Sequence, residues 1–156
     1  MSVVDYVFDL DGTISDPKVG MAKSINFALT SHDFDSVDEK KIGSLIGLPL
    51  DQMYKQFCGV EEKSLLDALV AKYRAHFWEI GYSENTIYPD IDSSLRYLHS
   101  QPGARLGICT SKPSDIAEKI LKMFDLDLLF NFISGGDVGI EKHQQLQRLL
   151  KDGVIR

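Results

Sequence analysis

The sequence predicts an α/β fold: a parallel sheet flanked by helices, with a block of further helices inserted after the first strand. Three observations predict it. Short β-branched and aromatic runs end at polar residues, as buried parallel strands do. Those runs alternate with segments of helical period in the second half of the chain, which implies right-handed crossovers. Between the first strand and that alternating half lies a helical stretch too long for an ordinary connection.

Val3 to Leu10, apolar apart from its aspartates, reads as the first strand, covered on both faces. Val19 to Leu29 then takes a helical period, with Met21, Ile25, Ala28 and Leu29 on one stripe. Asp38 to Ile46 is a second helix, stopped by Gly47 and Pro49, and Leu50 to Phe57 a third, ending near Gly59. Glu61 to Ile80 is the clearest helix, with Leu65, Leu66, Leu69, Val70, Tyr73, Phe77 and Ile80 on its apolar face and Gly81 closing it. Phe77 and Trp78 are expected to pack inside this helical block. A turn at Pro89 leads into a helix through Leu95 and Leu98, stopped at Pro102-Gly103. Arg105 to Thr110 is the second strand. Ser114 to Phe124 is a helix capped by Ser114 or Asp115. Phe130 to Ser134 is the third strand, Gly135-Gly136 a plain loop after it, and Glu141 to Leu150 the last helix.

Composition bounds the partners. The 156 residues carry 44% hydrophobic and 26% charged side chains, ordinary for a soluble protein. A net charge of -6 argues against nucleic acid or an anionic membrane held by bulk electrostatics. An anionic small substrate stays open, because a metal ion can reverse the local sign. Cys58 and Cys109 have no metal-ligand or disulfide spacing, and His32, His76, His99 and His143 show none either. No leader or membrane span is apparent, so a cytoplasmic protein is expected.

The chemistry-bearing stretch is "YVFDLDGTISD", Tyr6 to Asp16. Burying two acids at a strand end is costly. In open α/β sheets that is where ligands bind. Residues i and i+2 of a strand share a face, so Asp9 and Asp11 can point into one site if the strand persists. Gly12 permits a sharp turn that can bring amides to a ligand. Such a pair can hold a hard cation or divide nucleophilic and proton-transfer roles. It can equally do no more than cap the turn. Thr110 alone, at a strand end, and Lys142 alone, at a helix start, are weak signals.

"FDLDGTISD" resembles the first motif of the haloacid dehalogenase superfamily, and "GICTSKP" resembles the second. Lys142, in "GGDVGIEKHQQL", stands where that family places its third-motif lysine. The inserted helices are similar to the cap of the phosphoglycolate-phosphatase-like branch, as is "IYPDI" at the return to the core. The resemblance implies a Rossmann-like core over residues 1–16 and 84–156 and an α-helical cap over 17–83. It also implies a Mg2+-dependent phosphohydrolase of small phosphomonoesters, phosphoglycolate being one candidate. Asp9 is implied as the nucleophile and metal ligand, and Asp11 as acid/base and, through its backbone carbonyl, a second metal ligand. Thr110, Ser111 and Gly12 are implied at the phosphate, and Lys142 as the charge-balancing lysine. "GSLIGLPL", Gly43 to Leu50, falls where cap segments of that branch tune substrate choice. An aspartate at position 11 favours phosphate esters over alkyl halides, whose leaving group needs no proton.

One family motif is absent. After the lysine helix a further strand with an acidic GDxxxD cluster is expected, and this sequence stops at "KDGVIR". Asp137 precedes Lys142 and cannot replace it by order. A further metal ligand is therefore expected beyond Arg156, with the C-terminal strands of the core missing. The first strand is expected to present an unpaired edge. A truncated chain or a disordered remainder is favoured over a natural short form with impaired chemistry. A sugar-phosphate mutase, or a non-catalytic phosphate-binding or interaction protein, remain as alternatives.

Overall fold

The first strand is shorter than its apolar run. In the computed structural model, which describes residues 2–136 and 140–156, β1 spans Val4–Phe8 and stops before Asp9. There follow β2 (Ser15–Asp16), α1 (Lys18–Thr30), α2 (Glu39–Ser44), α3 (Leu50–Cys58) and α4 (Lys63–Glu79). The chain continues through β3 (Thr86–Ile87), α5 (Ile91–His99), β4 (Ala104–Cys109), α6 (Ser114–Met123), β5 (Phe132–Ser134) and α7 (Lys142–Lys151). It divides into two units, Met1–Asp16 with Thr86–Arg156, and Pro17–Asn85.

The first unit holds a parallel sheet of order β1-β4-β5. Val4 pairs with Ala104 and Phe8 with Ile108, while Gly107 pairs with Phe132 and Cys109 with Ser134. β1 is an edge strand among the described residues and is half-buried rather than covered on both faces. β4 is the fully covered strand, with Leu106 and Ile108 at 0% exposure. Leu95, Ala117, Ile120, Leu121 and Leu126 complete its core. Asp5 on β1 pairs with Arg105 at 3.2 Å and accepts the Arg156 N–H at 2.9 Å. β2 and β3 form a two-residue antiparallel pair that periodicity could not reveal.

In the second unit α1 packs on α4 and α2, and α3 packs on α4. Ile25, Leu29, Ile42, Met53, Tyr54 and Leu69 are sealed inside it. Asp38 caps α2 by accepting the Lys40 N–H at 2.6 Å, and Gly59, at φ 66°, ends α3. Phe77 is buried but Trp78 is 39% exposed, contrary to expectation, because adjacent helical residues face different directions.

Candidate active site

A tight turn, not a strand, carries the two aspartates. With β1 ended at Phe8, Asp9 and Asp11 do not share a strand face as i and i+2; Asp11 instead bridges Ser15. The Leu10 carbonyl accepts from the amides of Thr13, Ile14 and Ser15 at 3.2, 2.9 and 3.3 Å. Gly12, at φ +78°, has open space where a Cβ would stand, so the backbone conformation alone calls for glycine there. Its N–H donates to the Ser15 carbonyl at 2.9 Å and is engaged by the turn rather than held out for a ligand. Leu10 and Ile14, both at 0% exposure, anchor the turn in the core, with Asp9 and Asp11 on either side of Leu10.

Each carboxylate meets its own lysine. Asp9 Oδ1 accepts the Leu10 N–H at 2.8 Å, and Asp9 Oδ2 contacts the Lys142 Nζ. Lys142 is the first residue of α7, where the Gln144 side chain accepts the Glu141 N–H at 2.9 Å and steadies the helix start. Asp11 Oδ2 lies 3.0 Å from Lys112 Nζ, whose side chain is only 8% exposed. Asp11 Oδ1 is buried without a hydrogen-bond partner among the described residues.

Thr110 follows β4 directly and is 1% exposed. Its N–H donates to Ser134 at 3.0 Å, and its hydroxyl oxygen accepts the Lys112 N–H at 3.1 Å. Its carbonyl accepts from Gln145 Nε2 at 3.1 Å. Gln145 lies three residues after Lys142 on α7, so one helix face addresses both Asp9 and Thr110. Ser111 is exposed beside it. Ser114 does not cap α6, whose cap residue is Pro113; its hydroxyl instead accepts the Gly135 N–H at 2.9 Å. The Gly136 N–H donates to the Lys112 carbonyl at 3.0 Å, and a Cβ on Gly136 would stand 2.5 Å from the Ser111 carbonyl oxygen. The glycine pair therefore clamps the Thr110–Ser114 loop and is more than a connection.

Two neighbours register the charge. Burial raises the Cys109 thiol above its usual range, Lys142 opposes the rise and Asp9 adds to it. Burial raises the Tyr88 phenol, with Asp16 and Asp11 adding to it. Lys112, Gln145, Gly136 and Tyr88 were not picked out by sequence reasoning. The available signals were a lysine two residues after Thr110 and a glutamine three residues after Lys142. Asp137 lies outside the described residues.

The donors fit a Mg2+ ion. It takes hard oxygen ligands and is commonly held by one or two carboxylates, with water and substrate phosphate completing its shell. The Asp9 carboxylate and the Asp11 backbone carbonyl, carried on one turn, are oxygens of that kind. Among the described residues no group of three or more His, Cys, Asp or Glu side chains forms a fuller cage.

Residues 6–153 match the family described as haloacid dehalogenase-like hydrolase. A 5'-nucleotidase of Pseudomonas aeruginosa is 35% identical over 142 residues, covering 90% of this chain and 63% of that protein. A phosphoglycolate phosphatase of Aliivibrio fischeri is 31% identical over 142 residues, covering 86% and 62%. The chain thus spans less than two thirds of the length of these relatives. The solved structure of a haloacid dehalogenase-like family hydrolase from Streptococcus pneumoniae superposes with TM-score 0.85 at 25% identity, covering 98% of this chain and 71% of that one. With its parallel sheet, its acidic turn and these relatives, the chain belongs to the haloacid dehalogenase-like hydrolase family.

Proposed function

We propose that this protein is a Mg2+-dependent phosphohydrolase of small phosphomonoesters that works through an aspartyl-phosphate on Asp9. The observation that carries this reading is the pair of lysine-held carboxylates on the Leu10–Ser15 turn, beside the buried Thr110. The relatives' names, a 5'-nucleotidase and a phosphoglycolate phosphatase, support a phosphate ester as substrate and leave its alcohol portion to experiment.

Asp9 attacks phosphorus, and the ester P–O bond breaks as Asp11 gives its proton to the leaving oxygen. A water then attacks the acyl phosphate, Asp11 takes the water's proton, and the bond to Asp9 breaks to release inorganic phosphate. The Thr110 hydroxyl donates a hydrogen bond to a phosphoryl oxygen, with the Ser111 amide beside it, and Gly12 shapes the turn beneath. The Lys142 ammonium offsets the charge gathered on Asp9 and phosphate. The Asp9 carboxylate and the Asp11 backbone carbonyl would hold Mg2+. When bound, that ion neutralises phosphoryl-oxygen charge.

Phosphate release from phosphoglycolate, a nucleoside 5'-monophosphate and an aryl phosphate, with and without Mg2+, tests the proposal. Release is expected from at least one ester, abolished by EDTA and by Asp9→Asn with the fold retained. Binding of phosphate without turnover would point to a binding protein, and isomerisation of a hexose phosphate to a mutase.

A further inference from the structure

Lys112 is a nearly buried cation on a carboxylate to which the mechanism gives a proton-transfer role. We propose that Lys112 is the positioning residue for Asp11, fixing its carboxylate from the loop that also carries Thr110. The inference rests on the hydrolase reading above and assigns a role to a residue that reading leaves idle.

Three observations converge. The ammonium lies 3.0 Å from Asp11 Oδ2 with the lysine side chain only 8% exposed. The lysine gives up most of its hydration to meet a carboxylate that is itself 23% exposed, so the contact is not a solvated surface pair. The Lys112 backbone is fixed at both ends, its N–H on Thr110 Oγ1 at 3.1 Å and its carbonyl on the Gly136 N–H at 3.0 Å. The phosphate-side hydroxyl and the Asp11 clamp therefore sit on one rigid loop. Finally, Asp11 Oδ1 is buried and has no hydrogen-bond partner among the described residues. The Lys112 ammonium on Oδ2 is therefore the contact that orients this carboxylate among the described residues. Lys142 serves Asp9 instead, so the two ammonium groups divide the two carboxylates between them.

Leaving-group dependence separates positioning of the acid from general support of the fold. An alkyl phosphate needs its departing oxygen protonated, whereas nitrophenolate leaves without help. The ratio kcat/KM covers steps only through formation of the aspartyl-phosphate, so it isolates the acid step. Lys112→Met is expected to lower kcat/KM about 100-fold for an alkyl phosphate and less than about 5-fold for nitrophenyl phosphate. Lys112→Gln, which keeps the length without the charge, should show the same asymmetry more weakly and stands in if Lys112→Met does not fold. Lys112→Arg should restore most of the alkyl-phosphate activity. In an Asp11→Asn background, Lys112→Met should add little further loss, because the two act as a unit. Equal losses on both substrates, or independent losses in the double variant, would overturn the assignment. A wild-type protein inactive on both esters would instead overturn the hydrolase reading itself, a distinguishable result.

Discussion

Asp9 and Lys142 illustrate how little an exposed ion pair adds to stability. Their side chains are 33% and 43% exposed, so solvent screens the attraction to about 0–1 kcal/mol. Lys142→Met should therefore shift urea stability by less than about 1 kcal/mol while lowering kcat/KM for phosphate release about 100-fold. Parallel denaturation and turnover measurements check both halves. Tyr54 presents the opposite case, a residue whose cost lies in the fold. It is 0% exposed, and its hydroxyl has no hydrogen-bond partner among the described residues. Burial raises its pKa above the ordinary 10.0, with Cys58 a second cause. The folded value exceeds the unfolded one, so this contribution is complete below pH 10.0 and declines as pH rises past it. Tyr54→Phe should be equal or more stable near neutrality, by up to about 1 kcal/mol, because it removes an unsatisfied buried hydroxyl. The variant's urea midpoint should also fall less steeply above pH 10.0 than that of the wild type. A loss of stability near neutrality would show that the hydroxyl has a partner in solution.

At the scale of elements, the loop from Thr110 to Ser114 depends on the one that follows β5. Gly136→Ala would place a Cβ 2.5 Å from the Ser111 carbonyl oxygen, a backbone atom that cannot swing aside. Overpacking of this kind costs about 1–3 kcal/mol, and the displaced loop carries both Thr110 and Lys112. Turnover should fall further than the stability loss explains, as comparison of urea midpoints with kcat/KM at saturating Mg2+ would show; full activity would remove the clamp from the account. That dependence was invisible in the sequence, where Gly135-Gly136 reads as a plain loop. Periodicity did identify α1, α3, α4 and β4, since their apolar stripes span several turns or a covered strand. It overran β1, because Leu10 prolongs the apolar run after the hydrogen-bonded ladder has ended. It missed β2 and β3, which are two residues each. Ser114 was assigned to the α6 cap by residue type, but its hydroxyl is engaged by Gly135, a tertiary contact that local rules do not contain.

Across the whole molecule, the motif residues separated by more than a hundred positions come together because β1 and β4 are neighbours. Asp9 follows the end of one and Thr110 the end of the other, with Phe8 paired to Ile108. α7 then brings Lys142 and Gln145 to the same sheet end. That juxtaposition was legible once the parallel order of the strands was assumed, since strand ends gather ligand-binding residues. The partition of two lysines over two carboxylates was not, because it depends on side-chain burial at Lys112. The proposed function turns on covalent phosphorylation of Asp9 while Asp11 governs the proton. Acid quenching of the Asp11→Asn variant during turnover of a phosphorus-labelled nitrophenyl phosphate, followed by peptide mapping, tests it most directly. Label is expected to accumulate on the peptide that contains Asp9 and to be absent when Asp9→Asn is added. Phosphate release with no label on that peptide, or label that survives the loss of Asp9, would contradict it.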